Sequence, residues 1–307
     1  MTNQAPTIKH IYQNHHLDTT RWDQFKPRST DVVVATSYKT GTTWMQMILI
    51  HLVHHGGKIP LRGEVSPWVD MRLHPLDDVI ETLEAQDYQR VIKTHLPLDG
   101  IPYHEEARYV VVCRDGRDVC MSLWNHYDNY TDEFLDALNN TPNRVGPKIA
   151  KSDGDIHKFW HEWITQGWFD WDTEGFPFWS HLGHTQTWWD FKHLPNILFV
   201  HYNDLLKDLP GEISRIAQFC DIERSDDEIA AIADELTFDS MKRNADTIMP
   251  GISESFKGGG KTFLNKGTNG RWREVLNEEE LAQYVDAVKR ELTPDCAKWL
   301  ETGSLKP

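Results

Sequence analysis

Short apolar runs with abrupt polar ends recur at Asp31–Thr36, Arg90–Thr94, Tyr109–Cys113 and Ile197–His201. Their brevity and continuity predict strands buried on both faces of a parallel sheet. Between them apolar positions fall at helical spacing over Thr43–His55, Arg117–Tyr127, Ile156–Gln166 and His181–His193. Two further helices are predicted at Gly211–Cys220, where Ile213, Ile216, Ala217 and Cys220 share a stripe, and at Asp226–Leu236. Asn277 ahead of Glu278, Glu279 and Glu280 reads as an N-cap, opening a helix to about Leu292. Strands alternating with helices predict an α/β fold with a mainly parallel central sheet flanked by helices. Asn139–Asp155, and Gly251–Gly270 with its Gly258–Gly260 triplet, predict loops or mobile lids. No repeat or shift of composition marks a second domain, so residues 1–307 are expected to form one.

A chain of 307 residues buries roughly three quarters of its unfolded surface, ample for a core. Its net charge of −15 argues against nucleic acid as a partner, because a phosphate backbone needs a positive face. A cleft with a few cations still suits a small anion. The four cysteines show neither CxxC nor zinc-ligand spacing and read as buried thiols in a reducing compartment. No signal-peptide pattern opens the sequence and no run is apolar enough to span a membrane, so a cytoplasmic protein without stable membrane insertion is expected. Among thirteen tryptophans, Trp160, Trp163, Trp168, Trp171, Trp179, Trp188 and Trp189 cluster, as either core or the wall of an apolar ligand site.

The candidate chemistry lies where strands end. In open α/β sheets ligands sit beyond the carboxyl ends of the strands, near the N-termini of the following helices. The first strand runs into Lys39-Thr40-Gly41-Thr42-Thr43, a P-loop-like turn. Its backbone N–H groups and helix dipole suit an anion, glycine permits close approach and threonines add hydroxyl donors. Lysine precedes the glycine here, whereas ATP-binding loops end in Gly-Lys-Ser/Thr with a magnesium-binding hydroxyl. The second strand ends in K-T-H-L-P, where Lys93 and His95 share one side of an extended segment. Imidazole titrates near neutrality, so His95 is a candidate general base. The third strand closes on Arg114, with Ser122 eight residues later, a fork and a hydroxyl suited to phosphate.

These pieces together resemble the cytosolic-type sulfotransferases, which use 3′-phosphoadenosine 5′-phosphosulfate (PAPS). T-S-Y-K-T-G-T-T-W, Thr36–Trp44, is similar to the family's TYPKSGTTW loop, and KTHLP is present unchanged as Lys93–Pro97. Arg114 and Ser122 match its 3′-phosphate motif, and H-Y-N-D-L-L at His201–Leu206 resembles its Y-E-D-L segment. L-T-F-D-S-M-K, Leu236–Lys242, resembles T-S-F-x-x-M-K, and Phe263–Trp272 resembles the closing loop F-x-R-K-G-x-x-G-D-W. The likeness spans about residues 30–275 in the family's order.

The resemblance implies transfer of a sulfuryl group from PAPS to the hydroxyl of a small, apolar alcohol or phenol, with no metal required. It implies His95 as base, with Lys39 and Lys93 stabilising charge on the departing oxygen. It places Thr40, Gly41, Thr42 and Thr43 at the 5′-phosphosulfate and Arg114 and Ser122 at the 3′-phosphate. Trp44, Tyr202, Thr237 and Phe238 fall near the adenosine, and Phe263, Leu264, Asn265, Lys266 and Gly267 in the closing loop. Trp179, His181 and Trp188 correspond to an aromatic segment lining the acceptor side. Three departures stand out. Asn265 replaces the closing-loop arginine, leaving Lys266, Gly267, Arg271 or Arg273 to grip the 3′-phosphate. Tyr38 replaces a proline, and the animal enzymes' C-terminal pairing segment is not evident, which leaves the oligomeric state open. The alternatives are a P-loop small-molecule kinase using ATP and magnesium, and a catalytically dead nucleotide-binding module.

Overall fold

The computed structural model describes residues 5–304; the reading of 1–307 as one domain therefore extends past the described residues at both ends. Four strands, β1 (Val32–Thr36), β2 (Val91–Thr94), β3 (Arg108–Cys113) and β4 (Ile197–His201), form one parallel sheet in the order β2-β1-β3-β4. Val34 lies opposite Lys93 and Val110, and Cys113 opposite His201. The order reverses at β1, which makes the carboxyl ends of β1, β2 and β3 the natural ligand crevice.

Alternation along the strands divides the core in two. Val33, Ala35, Tyr109 and Val111 face the layer containing Trp160, Trp163, Phe178 and Trp188. Val32, Val34, Val110 and Val112 face the layer containing Ile48, Leu49, Ile213 and Ile232. Both faces of β1 are thus covered, which is why its five residues are uniformly buried. The helix after β1, α1 (Thr42–His54), is buried from Trp44 to Leu52. Asp31 and Arg90, read as strand residues from sequence, precede β1 and β2 and form a fully buried two-pronged ion pair, with Nε–Oδ1 2.7 Å and a second contact of 2.6 Å.

The helical expectations correspond to α1, Gly116–Asp128, Ile156–Thr165, Leu182–Trp189, Leu209–Phe219, Asp226–Glu235 and Glu278–Glu291. Asn277 caps the last through a reciprocal pair with Glu280. His181–His193 is shortened because the N–H groups of Phe191 and Lys192 turn back to the carbonyls of Trp188 and Trp189. Gly251–Gly270 is not wholly loop: left-handed Gly251 and Gly258 start the short helices Ile252–Ser255 and Gly259–Phe263. Leu76–Glu84, Asp132–Asn139 and Pro294–Thr302 are helices without a sequence expectation. Among the described residues no helix is long and apolar enough to cross a membrane.

Candidate active site

A cavity of about 560 Å³ opens at the carboxyl ends of β1, β2 and β3. Its floor is the turn between β1 and α1. Lys39 and Gly41 both have positive φ, 61° and 117°. A Cβ on Gly41 would come within 3.2 Å of the Tyr202 ring, so glycine serves both the backbone angle and the packing. Thr42 Oγ1 lies 2.8 Å from Thr36 Oγ1, tying the helix start to the strand end.

Three groups converge above this floor. His95 Nδ1 is 2.7 Å from the Thr36 carbonyl oxygen. A carbonyl only accepts, so Nδ1 carries the hydrogen and Nε2 holds the free lone pair. Burial, then the charge of Lys93, keeps this imidazole neutral by lowering its pKa well below the usual value. Lys93 Nζ stands 3.8 Å from the centroid of Trp68. Burial and Arg62 pull it down to about 7 against the opposing attraction of Asp70. Lys39 is drawn down to about 7 by burial and then Arg114. Its Nζ is 3.2 Å from His126 Nδ1 and 4.5 Å from the Phe263 ring.

The far end is built around Arg114. Its Nε donates to Asn269 Oδ1 at 2.8 Å, and its terminal nitrogens donate to the carbonyls of Thr268 and Lys39 at 3.1 and 3.2 Å. Its guanidinium lies 4.3 Å from the Tyr202 ring centroid. Ser122 lines the same end from the helix Gly116–Asp128. Trp44 Nε1 donates to the Leu236 carbonyl, and its ring meets Tyr202 edge-on at 5.5 Å. Phe238 packs where a Cβ on Gly267 would fall, 2.4 Å away. Lys242 donates to the Asn265 carbonyl. Leu264, Lys266 and Arg271 complete this wall; Arg271 is further held by the Met121 carbonyl at 2.8 Å.

Most expected site residues therefore meet in one cavity, Thr43 and Asn265 included. Five do not line it. Thr40 turns inward to the Ser37 carbonyl, and Thr237 caps the helix Phe238–Arg243. Trp179 stands behind Tyr38, with ring centroids 4.2 Å apart. His181 is a brace: Nδ1 meets Ser37 Oγ at 2.5 Å and Nε2 meets the Arg114 carbonyl at 3.1 Å. Trp188 is wholly buried against Tyr109. The helix Leu182–Trp189 packs beneath the strand ends, so its apolar face fills core rather than cavity.

The cavity wall is completed instead by His16, Trp68, Met71, His126, Tyr130 and Phe134. His126 had a signal, since it lies four residues after Ser122 on one helix and therefore on the same face. His16 and Trp68 had none, because they reach the cavity from segments outside any regular element that carries motif residues.

Against known proteins, a family model described as "Sulfotransferase domain" matches residues 29–297. The chain belongs to the sulfotransferase family. It is a PAPS-dependent sulfotransferase. A glycolipid sulfotransferase of Mycobacterium tuberculosis is 29% identical over 99% of this chain and 98% of that protein. Human Sulfotransferase 1E1 is 25% identical over 87% of this chain and 88% of that protein. Retinol dehydratase, solved with androsterone and the inactive cofactor PAP, superposes with a TM-score of 0.69 at 24% identity, over 90% of this chain and 84% of that one. Mouse sulfotransferase SULT7A1 complexed with PAP gives 0.69 at 19% identity, over 95% and 96%. These likenesses establish the sulfotransferase fold: a parallel central sheet flanked by helices.

Proposed function

We propose that this sulfotransferase, acting as one domain, sulfates a hydroxyl of a small, largely apolar acceptor with His95 as general base. When bound, PAPS supplies an activated sulfuryl group, and its loss leaves adenosine 3′,5′-bisphosphate. The residues suit such a donor: Arg114, Ser122, Lys266 and Arg271 offer cations and a hydroxyl at one end, and the Lys39–Thr43 turn offers N–H groups at the other. The glycine positions support the fit, because side chains at Gly41 and Gly267 would press into Tyr202 and Phe238.

The supporting observation is the orientation of His95. With Nδ1–H committed to Thr36, Nε2 is the atom left to accept an acceptor's hydroxyl proton. Lys39 and Lys93 place positive charge in the same cavity, where preorganised cations stabilise charge that grows on a departing oxygen. Trp68, Tyr130, Phe134 and Phe256 wall the acceptor side with aromatic surface. The mycobacterial relative's named glycolipid also supports a hydroxyl-bearing acceptor. Four buried free cysteines support a reducing, cytoplasmic location.

The test is a thermal shift paired with a turnover assay. Adenosine 3′,5′-bisphosphate at a hundredfold excess over its Kd should stabilise the protein by about 2.7 kcal/mol without added magnesium. Labelled PAPS should transfer sulfate to members of a hydroxyl-compound panel. Stabilisation by ATP with magnesium but not by the bisphosphate would refute the donor assignment.

A further inference from the structure

Lys39 supplies the cation of the turn between β1 and α1, and its backbone is left-handed, φ 61°, a region that costs any residue but glycine. Such an angle persists where the surroundings hold it. The head of the side chain is held as well. Its Nζ is 3.2 Å from His126 Nδ1, contributed by the helix Gly116–Asp128, and 4.5 Å from the centroid of Phe263. Both Lys39 and His126 line the cavity.

The chemistry of the contact fixes the state of the histidine. A lysine head has no hydrogen-bond acceptor when charged, so His126 Nδ1 offers its lone pair and Nε2 carries the hydrogen. Burial, then the charge of Lys39, holds this imidazole neutral by lowering its pKa well below the usual value. The charged and titratable groups facing the pair are Arg114 and Lys93 beside Lys39, and His16, Lys93 and His95 beside His126. Among the described residues the lysines that pair with carboxylates are Lys151, Lys158 and Lys192, not Lys39. Its two partners, a neutral imidazole and an aromatic face, attract a cation without carrying a charge. A carboxylate in the place of His126 would fix the head equally well but would cancel much of its field. Packing alone does not call for an imidazole here. The ring sits 5.3, 4.5 and 5.3 Å from Tyr130, Phe256 and Phe263, surroundings that a phenylalanine would fill.

We propose that His126 is a positioning residue for sulfuryl transfer: it holds the Lys39 head in the cavity through a hydrogen bond that leaves the lysine's charge free for the departing oxygen. His126 itself neither gains nor loses a proton in the transfer. The inference deepens the proposed function and rests on it for the role of Lys39.

The experiment compares His126→Phe, His126→Gln and Lys39→Met with the unmutated protein, using an acceptor that the latter turns over. Phenylalanine keeps a ring and removes the lone pair, whereas glutamine restores an uncharged acceptor. At saturating PAPS, His126→Phe should lower kcat by about tenfold or more, and His126→Gln should recover most of that loss. In the Lys39→Met background His126→Phe should change kcat by less than about threefold, because the interaction is already absent. The Lys39 Cε resonance, assigned by its absence from Lys39→Met, should titrate about half a pH unit or more lower in His126→Phe, since the charged form has lost its acceptor. Undiminished kcat in His126→Phe, a loss that glutamine does not recover, equal losses with and without Lys39, or an unmoved titration overturns the proposal. If His126→Phe does not fold, His126→Gln decides: kcat and a Lys39 titration near the native values support the contact, and a tenfold fall in kcat overturns it. Absence of the bisphosphate thermal shift in the unmutated protein is a separate failure, that of the donor assignment, whereas the Lys39 titration tests the contact without any nucleotide.

Discussion

At the scale of single residues, the site depends on burying groups that ordinarily carry charge. His95 is neutral and oriented because its Nδ1–H is held by a backbone carbonyl in a buried site beside a lysine. Replacing His95 with alanine should lower turnover by about 10²–10⁴-fold, with little change in bisphosphate affinity measured by calorimetry. Undiminished turnover would remove its role as base. Lys39 and Lys93 add a pH signature, as burial above all pulls both down to about 7. An anion beside them favours their charged forms, so the complex holds more protons than the free protein. Bisphosphate affinity should therefore weaken as pH rises from about 7 to 9, by up to about tenfold per unit for each lysine. Proton uptake, read from calorimetry in buffers of different ionisation enthalpy, should accompany binding near pH 8. Affinity that stays level across this window would contradict the depressed lysines.

At the scale of elements, valine-rich strands and the glycine turn were legible because short-range pattern and backbone geometry coincide there. The uniform burial of β1 follows from its continuous apolar run, and Gly41 at φ 117° from the need for a left-handed residue before α1. The boundaries were less legible. Asp31 and Arg90 read as strand ends in sequence, yet their ion pair sits ahead of both strands and staples their starts together. Removing Asp31 leaves the buried Arg90 guanidinium with only the half-exposed Glu84 carboxylate, 3.2 Å away, and the Lys26 carbonyl as partners. Asp31→Ala should cost about 3–5 kcal/mol in urea unfolding; a loss below about 1 kcal/mol would mean that the pair is not a staple. The tryptophan-rich helix misled for a related reason. Its motif resembles an acceptor wall, but Leu182–Trp189 turns its aromatic face into the core. Periodicity identifies an apolar face without saying whether that face meets core or cavity.

At the scale of the whole molecule, an acidic chain of net charge −15 gathers Lys39, Arg62, Lys93, Arg114, Lys266 and Arg271 around one cavity. Such local clustering outweighs a distant opposite field. Arg114 links the parts, since its hydrogen bonds join the turn after β1 to Thr268 and Asn269 in the closing segment. Arg114→Ala should weaken adenosine 3′,5′-bisphosphate binding while leaving adenosine 5′-monophosphate nearly unaffected, as titration calorimetry would show. Equal losses for both nucleotides would count against a 3′-phosphate role.

The sequence by itself determined the α/β alternation, the turn that suits an anion, and the motif order that marks a sulfotransferase. Those features are local: each rests on residues within a few positions of one another. Only the tertiary structure decided what lines the cavity. His16, Trp68 and Phe134 come to the cavity that holds His95 from separate segments, and Trp188 turns into the core, because packing against distant elements sets the direction of a side chain. The hold of His126 on Lys39 has the same origin: whether a buried polar atom finds a partner depends on everything folded around it.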